Sequence, residues 1–176
     1  MLVMGIVTAW LLFPLPSITD RQLSTAIAPS DETELGRWML DKIREHPGQS
    51  GVIPLANGHD ALASRIALID AAQQSVDVQY YIWHDDITGT LLLKALHNAA
   101  QRGVRVRLLL DDNGIHDMDD LVAALDAQLN IEVRLFNPST IRHPKILGYA
   151  INFFRMNRRM HNKSLTVDGA VTIVGG

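Results

Sequence analysis

The chain has 176 residues, about one domain's worth, of which 47% are hydrophobic, 20% charged and 6% aromatic. That composition excludes a disordered or low-complexity chain, which could not bury enough apolar surface to offset its conformational entropy. Zero cysteines exclude disulfides, thiolate metal sites and a cysteine nucleophile, and a net charge of −3 offers no global attraction for nucleic acid.

Taken in chain order, Leu2–Pro16 is an almost unbroken apolar run in which Thr8 is the only polar side chain. It is shorter than the ~20 residues a helix needs to cross a bilayer core, which suits a signal or anchor segment over 1–16. Residues 17–51 read as a linker with one amphipathic helix over Thr33–Glu45, capped by Asp31 or Thr33 and ended by Pro47-Gly48. The compact domain is expected over 52–176.

From there helices and strands alternate. Ala61–Ala72 carries a helical apolar stripe. In Val76–Trp83, Val76, Val78, Tyr80 and Ile82 alternate with Asp77, Gln79 and Tyr81, which predicts a strand. Thr88 or Thr90 can cap the following helix, LLLKALHNAAQ, and Gly103 stands where a left-handed C-terminal cap belongs. Val104–Leu110 and Ile131–Phe136 are the next strands, separated by a helix over about Met118–Gln128. Right-handed crossovers then give an α/β fold with a parallel sheet and helices on both faces, and ligands bind beyond the carboxyl ends of the strands.

Those ends carry His84, Asp85-Asp86 and Asp111-Asp112. The acids could hold Mg²⁺, although such residues more often cap helices or end strands. His84 is a pocket candidate. No histidine pair has metal-ligand spacing, and no glycine-rich phosphate loop is present. Between Glu132 and Asp168 the chain has no acid, yet it holds Arg142, Lys145, Arg155, Arg158, Arg159 and Lys163 among Ile146, Leu147, Tyr149, Ile151, Phe153 and Phe154. An anionic lipid surface would attract such a segment, and a solvated helix face would show the same periodicity.

The chemistry concentrates in His161-Asn162-Lys163-Ser164-Leu165-Thr166-Val167-Asp168, which reads HxKxxxxD. Spacing of two on a strand puts His161 and Lys163 on one face. Asp168-Gly169 predicts a two-residue hairpin turn, a register that pairs Val167 with Ala170, Leu165 with Thr172 and Lys163 with Val174, and sets Gly176 opposite His161. A neutral imidazole can attack phosphorus while an ammonium steadies the phosphoryl oxygens, an arrangement that needs no metal or cofactor.

With Gly175-Gly176 six residues on, this segment resembles the first catalytic motif of the phospholipase D superfamily, HxKxxxxD-x6-G[GS]xN. VDVQYYIWHDD, ITGTLLLKAL, RGVRVRLLLDDN, IEVRLFNP and NRRMHNKS make residues 47–176 similar to bacterial cardiolipin synthases of the C-type branch. The resemblance implies a phospholipase D-like sheet truncated after the first HxKxxxxD hairpin. It also implies phosphatidyl transfer at the bacterial inner membrane, with phosphatidylglycerol and phosphatidylethanolamine as substrates. In that scheme His161 or a partner histidine forms a phosphatidyl-histidine, Lys163 holds the phosphate, and Asp168 supports the histidine pair. Family enzymes carry two such motifs and this chain carries one, so a C-terminal half or a second copy is the expected partner. A hydrolase of lipid or nucleic-acid phosphodiesters and a non-catalytic lipid-binding remnant are the alternatives; nucleic acid is the less expected partner.

Overall fold

A computed structural model describes residues 5, 8, 11–15, 17–19, 21 and 23–175. Most of the apolar run over 2–16, and Gly176, lie outside those residues. No helix among the described residues is long and apolar enough to cross a membrane.

From Glu34 on, the described residues open with two helices, α1 (Glu34–Glu45) and α2 (Gly58–Ala71). Strands β1 (Ser75–Tyr80), β2 (Arg105–Asp111) and β3 (Ile131–Phe136) then run parallel, linked by α3 (Ile87–Gln101) and α4 (Asp119–Asp126). After α5 (Lys145–Met156), the hairpin of β4 (Lys163–Val167) and β5 (Val171–Val174) adds antiparallel to the free edge of β1, so the strand order is β3-β2-β1-β4-β5.

Alternation explains the layering. Val76 and Val78 of β1, Val106, Leu108 and Leu110 of β2, Ile131 and Val133 of β3, and Leu165 and Val167 of β4 are buried in one cluster with Ile69, Leu96, Ala99 and Leu125 from the helices. The intervening positions form a polar face, where Arg107 forks onto Asp77 through two bonds of 2.6 Å and the hydroxyls of Thr166 and Thr172 lie 2.9 Å apart. The α/β class expected from the sequence holds. The crossovers β1–α3–β2 and β2–α4–β3 step in the same direction, and right-handedness then puts both helices on the same side. The polar face is met instead by the leading segment: Arg107 donates to the Ser24 hydroxyl and Arg105 to the Thr25 carbonyl. Residues 24–37, within the stretch read as a linker, are thus packed on the domain, with Leu35 against the core and the Glu34 amide donating to Gln73.

Local details shift for identifiable reasons. Thr33 does cap α1, its side chain accepting from the Gly36 amide. Helix α3 starts earlier than expected because Asp86, rather than Thr88 or Thr90, is the cap: its Oδ1 accepts from the Gly89 amide at 2.8 Å. Strand β1 ends at Tyr80 because the Trp83 amide bonds to the Gly114 carbonyl and the indole turns back into the core. Gly114 permits that reversal, since a Cβ there would overlap the Tyr81 carbonyl.

The hairpin register also differs by one residue. Asp168 and Gly169 take positive φ (50° and 64°), and the Ala170 amide closes the turn onto the Val167 carbonyl. Ala170 is then an extra residue before β5, so Val167 pairs with Val171, Leu165 with Ile173 and Ser164 with Val174. Gly175 rather than Val174 stands against Lys163, its amide donating to the Lys163 carbonyl at 3.0 Å.

Three buried carboxylates hold the frame. Asp168, 1% exposed, accepts from the backbone amides of Gln73, Gln74 and Ser75 at 2.8–3.1 Å and locks the hairpin to the α2–β1 junction. At the end of β2, Asp111 and Asp112 are both fully buried. Asp111 takes the Arg159 guanidinium at 2.8 Å and the Met160 amide at 2.9 Å, while Asp112 takes the Ser139 amide, Arg142 and Lys145. Arg142 also forks onto Asp119, and that hydrogen bond holds the Asp119 carboxyl below the ordinary 3.8.

Asp168→Ala should leave three amides without their acceptor, that of Ser75 buried, and cost about 1–3 kcal/mol, read as a lowered urea midpoint. Because Asp119 is depressed in the folded state, its contribution is full above its unfolded value. That contribution is lost as pH falls through the folded one. Asp119→Asn should therefore flatten the stability loss below about pH 4, and an unchanged acid-unfolding slope would contradict that linkage.

Candidate active site

The candidate catalytic side chains meet at the carboxyl end of β1. Lys163 opens β4 and is the register partner of Tyr80; His161 lies two residues before it, ahead of the strand. The two side chains meet on one side of the chain, as a spacing of two suggests. Pairing with β1 runs on past the start of β4, where the Asn162 carbonyl accepts from the Tyr81 amide at 3.0 Å and the Asn162 side chain donates to Gln79 at 2.7 Å. The Lys163 ammonium lies 3.3 Å from the His161 ring nitrogens.

Tyr81 completes the cluster. Its ring lies 4.9 Å from the imidazole centroid and 5.8 Å below the Lys163 ammonium, so one aromatic face steadies both groups. His161 is exposed and Lys163 half-buried, which leaves the imidazole open to an incoming group. Chemically, this is an accessible nucleophile or proton carrier with a cation beside it, suited to a reaction that builds negative charge on oxygen.

Asp168 is not part of that cluster. It stands beyond the other end of β4, roughly 17 Å away at the rise of a five-residue strand, and its carboxylate oxygens are occupied by the amides of residues 73–75. The residue that reaches the His161 neighbourhood from below is Asp111, which binds the amide of Met160, the residue directly before His161. In the sequence Asp111-Asp112 reads as a metal pair or a strand terminator. The signal for ion pairing is the acid-free stretch 133–167, whose cations need counter-charges from elsewhere in the chain. Among the described residues no group of three acidic or histidine side chains is placed to hold a metal ion.

Three cations of the basic segment are neutralised by that pairing. Arg142 and Lys145 are held by Asp112 and Arg159 by Asp111, which leaves Arg158 as an exposed cation without an ion pair among the described residues. Burial lowers the pKa of Arg155, with Arg159 adding to the effect, and its guanidinium bonds the Pro138 carbonyl. What α5 presents outward is apolar: Ile146 is 73% exposed and Phe154 86%, with Leu147 and Phe153 beside them. A cavity of about 670 Å³ lies under this helix, and a second of about 590 Å³ lies between α2, the end of β1 and the start of α3, with His84 on its wall.

Residues 66–176 match the family described as cardiolipin synthase, PLD-like domain. The chain is 58% identical over 142 residues to cardiolipin synthase C of Escherichia coli K12, covering 81% of this chain and 30% of that protein. It is 34% identical over 123 residues to cardiolipin synthase B of the same strain, covering 69% of this chain and 28% of that protein. Among solved structures, NucT from Helicobacter pylori aligns over 62% of this chain and 60% of its own at 24% identity and a TM-score of 0.42. The chain thus spans about 30% of the length of the curated relatives it matches. With the family match covering more than half of the sequence, the chain belongs to the cardiolipin synthase family of phospholipase D-like domains.

Proposed function

We propose that this chain supplies one half of the active site of a phosphatidyltransferase that joins two phospholipids into cardiolipin. The observation that carries the reading is the His161–Lys163 pair, braced by Tyr81 and open to solvent at the carboxyl end of the sheet. An imidazole nitrogen of His161 attacks the donor phosphorus as the phosphorus–oxygen bond to the departing alcohol breaks. The departing oxygen takes a proton from a second general acid, and Lys163 offsets the charge that develops on the phosphoryl oxygens. The hydroxyl of the second lipid then attacks phosphorus, gives its proton back to that acid's conjugate base, and the phosphorus–nitrogen bond of the phosphatidyl-histidine breaks.

One histidine cannot be nucleophile and general acid at once, so the second group comes from the remainder of the polypeptide or from a second copy. Phosphatidylglycerol and phosphatidylethanolamine are the substrate lipids of this reading, and of the two only phosphatidylglycerol offers the hydroxyl that the acceptor needs. Asp168 acts at a distance, by fixing the hairpin that starts with Lys163. The substrates lie in a bilayer, and the exposed apolar face of α5, bordered by Arg158, is the surface that meets it at the bacterial inner membrane.

In the polypeptide that carries this segment together with its second half, His161→Ala should lower cardiolipin formation by roughly 10³ or more, and Lys163→Met by roughly 10². Release of phosphatidic acid in place of cardiolipin would identify water as the acceptor and a hydrolase as the function. Retained activity in His161→Ala would remove the nucleophile assignment. Phe153→Ser with Phe154→Ser should weaken binding to phosphatidylglycerol-containing vesicles at least about tenfold, since each ring loses a burial worth about 1.5–3 kcal/mol. Arg158→Glu should cost less and show its effect only at low salt; a larger effect from Arg158 than from the two rings would reverse that order.

A further inference from the structure

Joining two phospholipids brings two phosphates to one place. The donor's phosphorus is attacked, while the acceptor lipid keeps its own phosphate intact, one glycerol away, through both steps. Lys163 is committed to the first, so the second needs another cation in a site partly screened from water.

Most half-buried cations of the domain face a carboxylate: Arg107 faces Asp77, Arg142 faces Asp112 and Asp119, and Lys145 faces Asp112. Arg65 has none among the described residues. Its Nε donates to the Tyr80 hydroxyl at 2.8 Å and one Nη to the Ala61 carbonyl at 2.8 Å, which fixes the plane of the fork. The other Nη makes no hydrogen bond among the described residues and lies close to Gly175, where a Cβ would approach it to 3.2 Å. A guanidinium held by neutral partners with a free edge is ready for a planar pair of phosphate oxygens.

The space in front of it is the second cavity, about 590 Å³, within the range of small-ligand pockets. His59, His84, Tyr80 and Trp83 share its wall with Arg65. The acid on that wall, Asp86, is already committed, its Oδ1 accepting from the Gly89 amide and the Thr88 hydroxyl. Tyr80 ties the cavity to the reaction centre, because it binds Arg65 through its hydroxyl and is the register partner of Lys163.

We propose that this cavity is the headgroup site for the second phospholipid, with Arg65 taking that lipid's phosphate and the glycerol hydroxyl reaching back toward His161. His59 and His84 stand at the rim. The assignment of the ligand rests on the phosphatidyl-transfer reading; the anion site itself does not.

The test is a titration of the 176-residue chain, labelled with ¹³C-histidine, with glycerol 3-phosphate and separately with inorganic phosphate. The imidazole resonances of His59, His84 and His161 are followed. Glycerol 3-phosphate should move His59 and His84. Arg65→Gln should weaken that response at least tenfold and Arg65→Lys by less, while the response of His161 stays within twofold. His161→Ala should leave the His84 response in place. A thermal melt checks each variant for folding; if Arg65→Gln does not fold, Arg65→Lys and Tyr80→Phe carry the comparison. An undiminished His84 response in the Arg65 variants, or no response at His59 and His84, overturns the site. An equal response to inorganic phosphate overturns the headgroup assignment. A response at His84 with none at His161 supports the cavity and counts against the proposed reaction.

Discussion

Two adjacent carboxylates, Asp111 and Asp112, are buried side by side at the carboxyl end of β2, and the arrangement of the active end depends on them. An uncompensated charge in that position costs several kcal/mol, so the chain must deliver partners to it. The partners come from 139–160: the Ser139 amide, Arg142, Lys145, Arg159 and the Met160 amide. Satisfying the two acids therefore threads a long connection over the strand ends and delivers the chain to His161. Three of the cations in the acid-free stretch that reads as a membrane-seeking basic segment are the counter-charge of this buried pair.

The second constraint acts from the opposite end of β4. Asp168 gathers three successive amides at the α2–β1 junction, which fixes the hairpin beside β1 and sets Lys163 opposite Tyr80. The three named residues of the HxKxxxxD motif thus divide their work. His161 and Lys163 form the pair proposed to react, and Asp168 anchors the strand that carries it. A carboxylate so thoroughly occupied is a positioning group, in keeping with its distance from the imidazole.

Much of the fold was legible because it rests on local periodicity. The alternation of VDVQYY, VRVRLLL and IEVRLF, with apolar helical stripes between, defines three parallel strands and two crossovers. What misled were positions where two local signals competed. Asp86 and Thr88 both offer an oxygen to the first turn of α3; Asp86 accepts from the Gly89 amide, and the Thr88 hydroxyl donates to Asp86 instead. Asp168-Gly169 does form the tight turn expected of it, yet Ala170 adds a bulge, which moves Gly175 opposite Lys163. The side of the sheet on which the helices pack was inferable only by applying the crossover rule to the strand order.

The sequence by itself determined the reactive types, the HxKxxxxD spacing, the α/β alternation and the family resemblance, because each of these is written within a few consecutive residues. Tertiary structure alone decided how those residues meet. The Tyr81 ring lies against His161 across 80 residues of chain, Asp111 reaches Met160 across 49, and Arg65 reaches Tyr80 from another element. Such contacts depend on strand order and on the need to pair buried charge. No local pattern encodes either, because each is settled only when distant segments compete for the same partners in a water-poor interior.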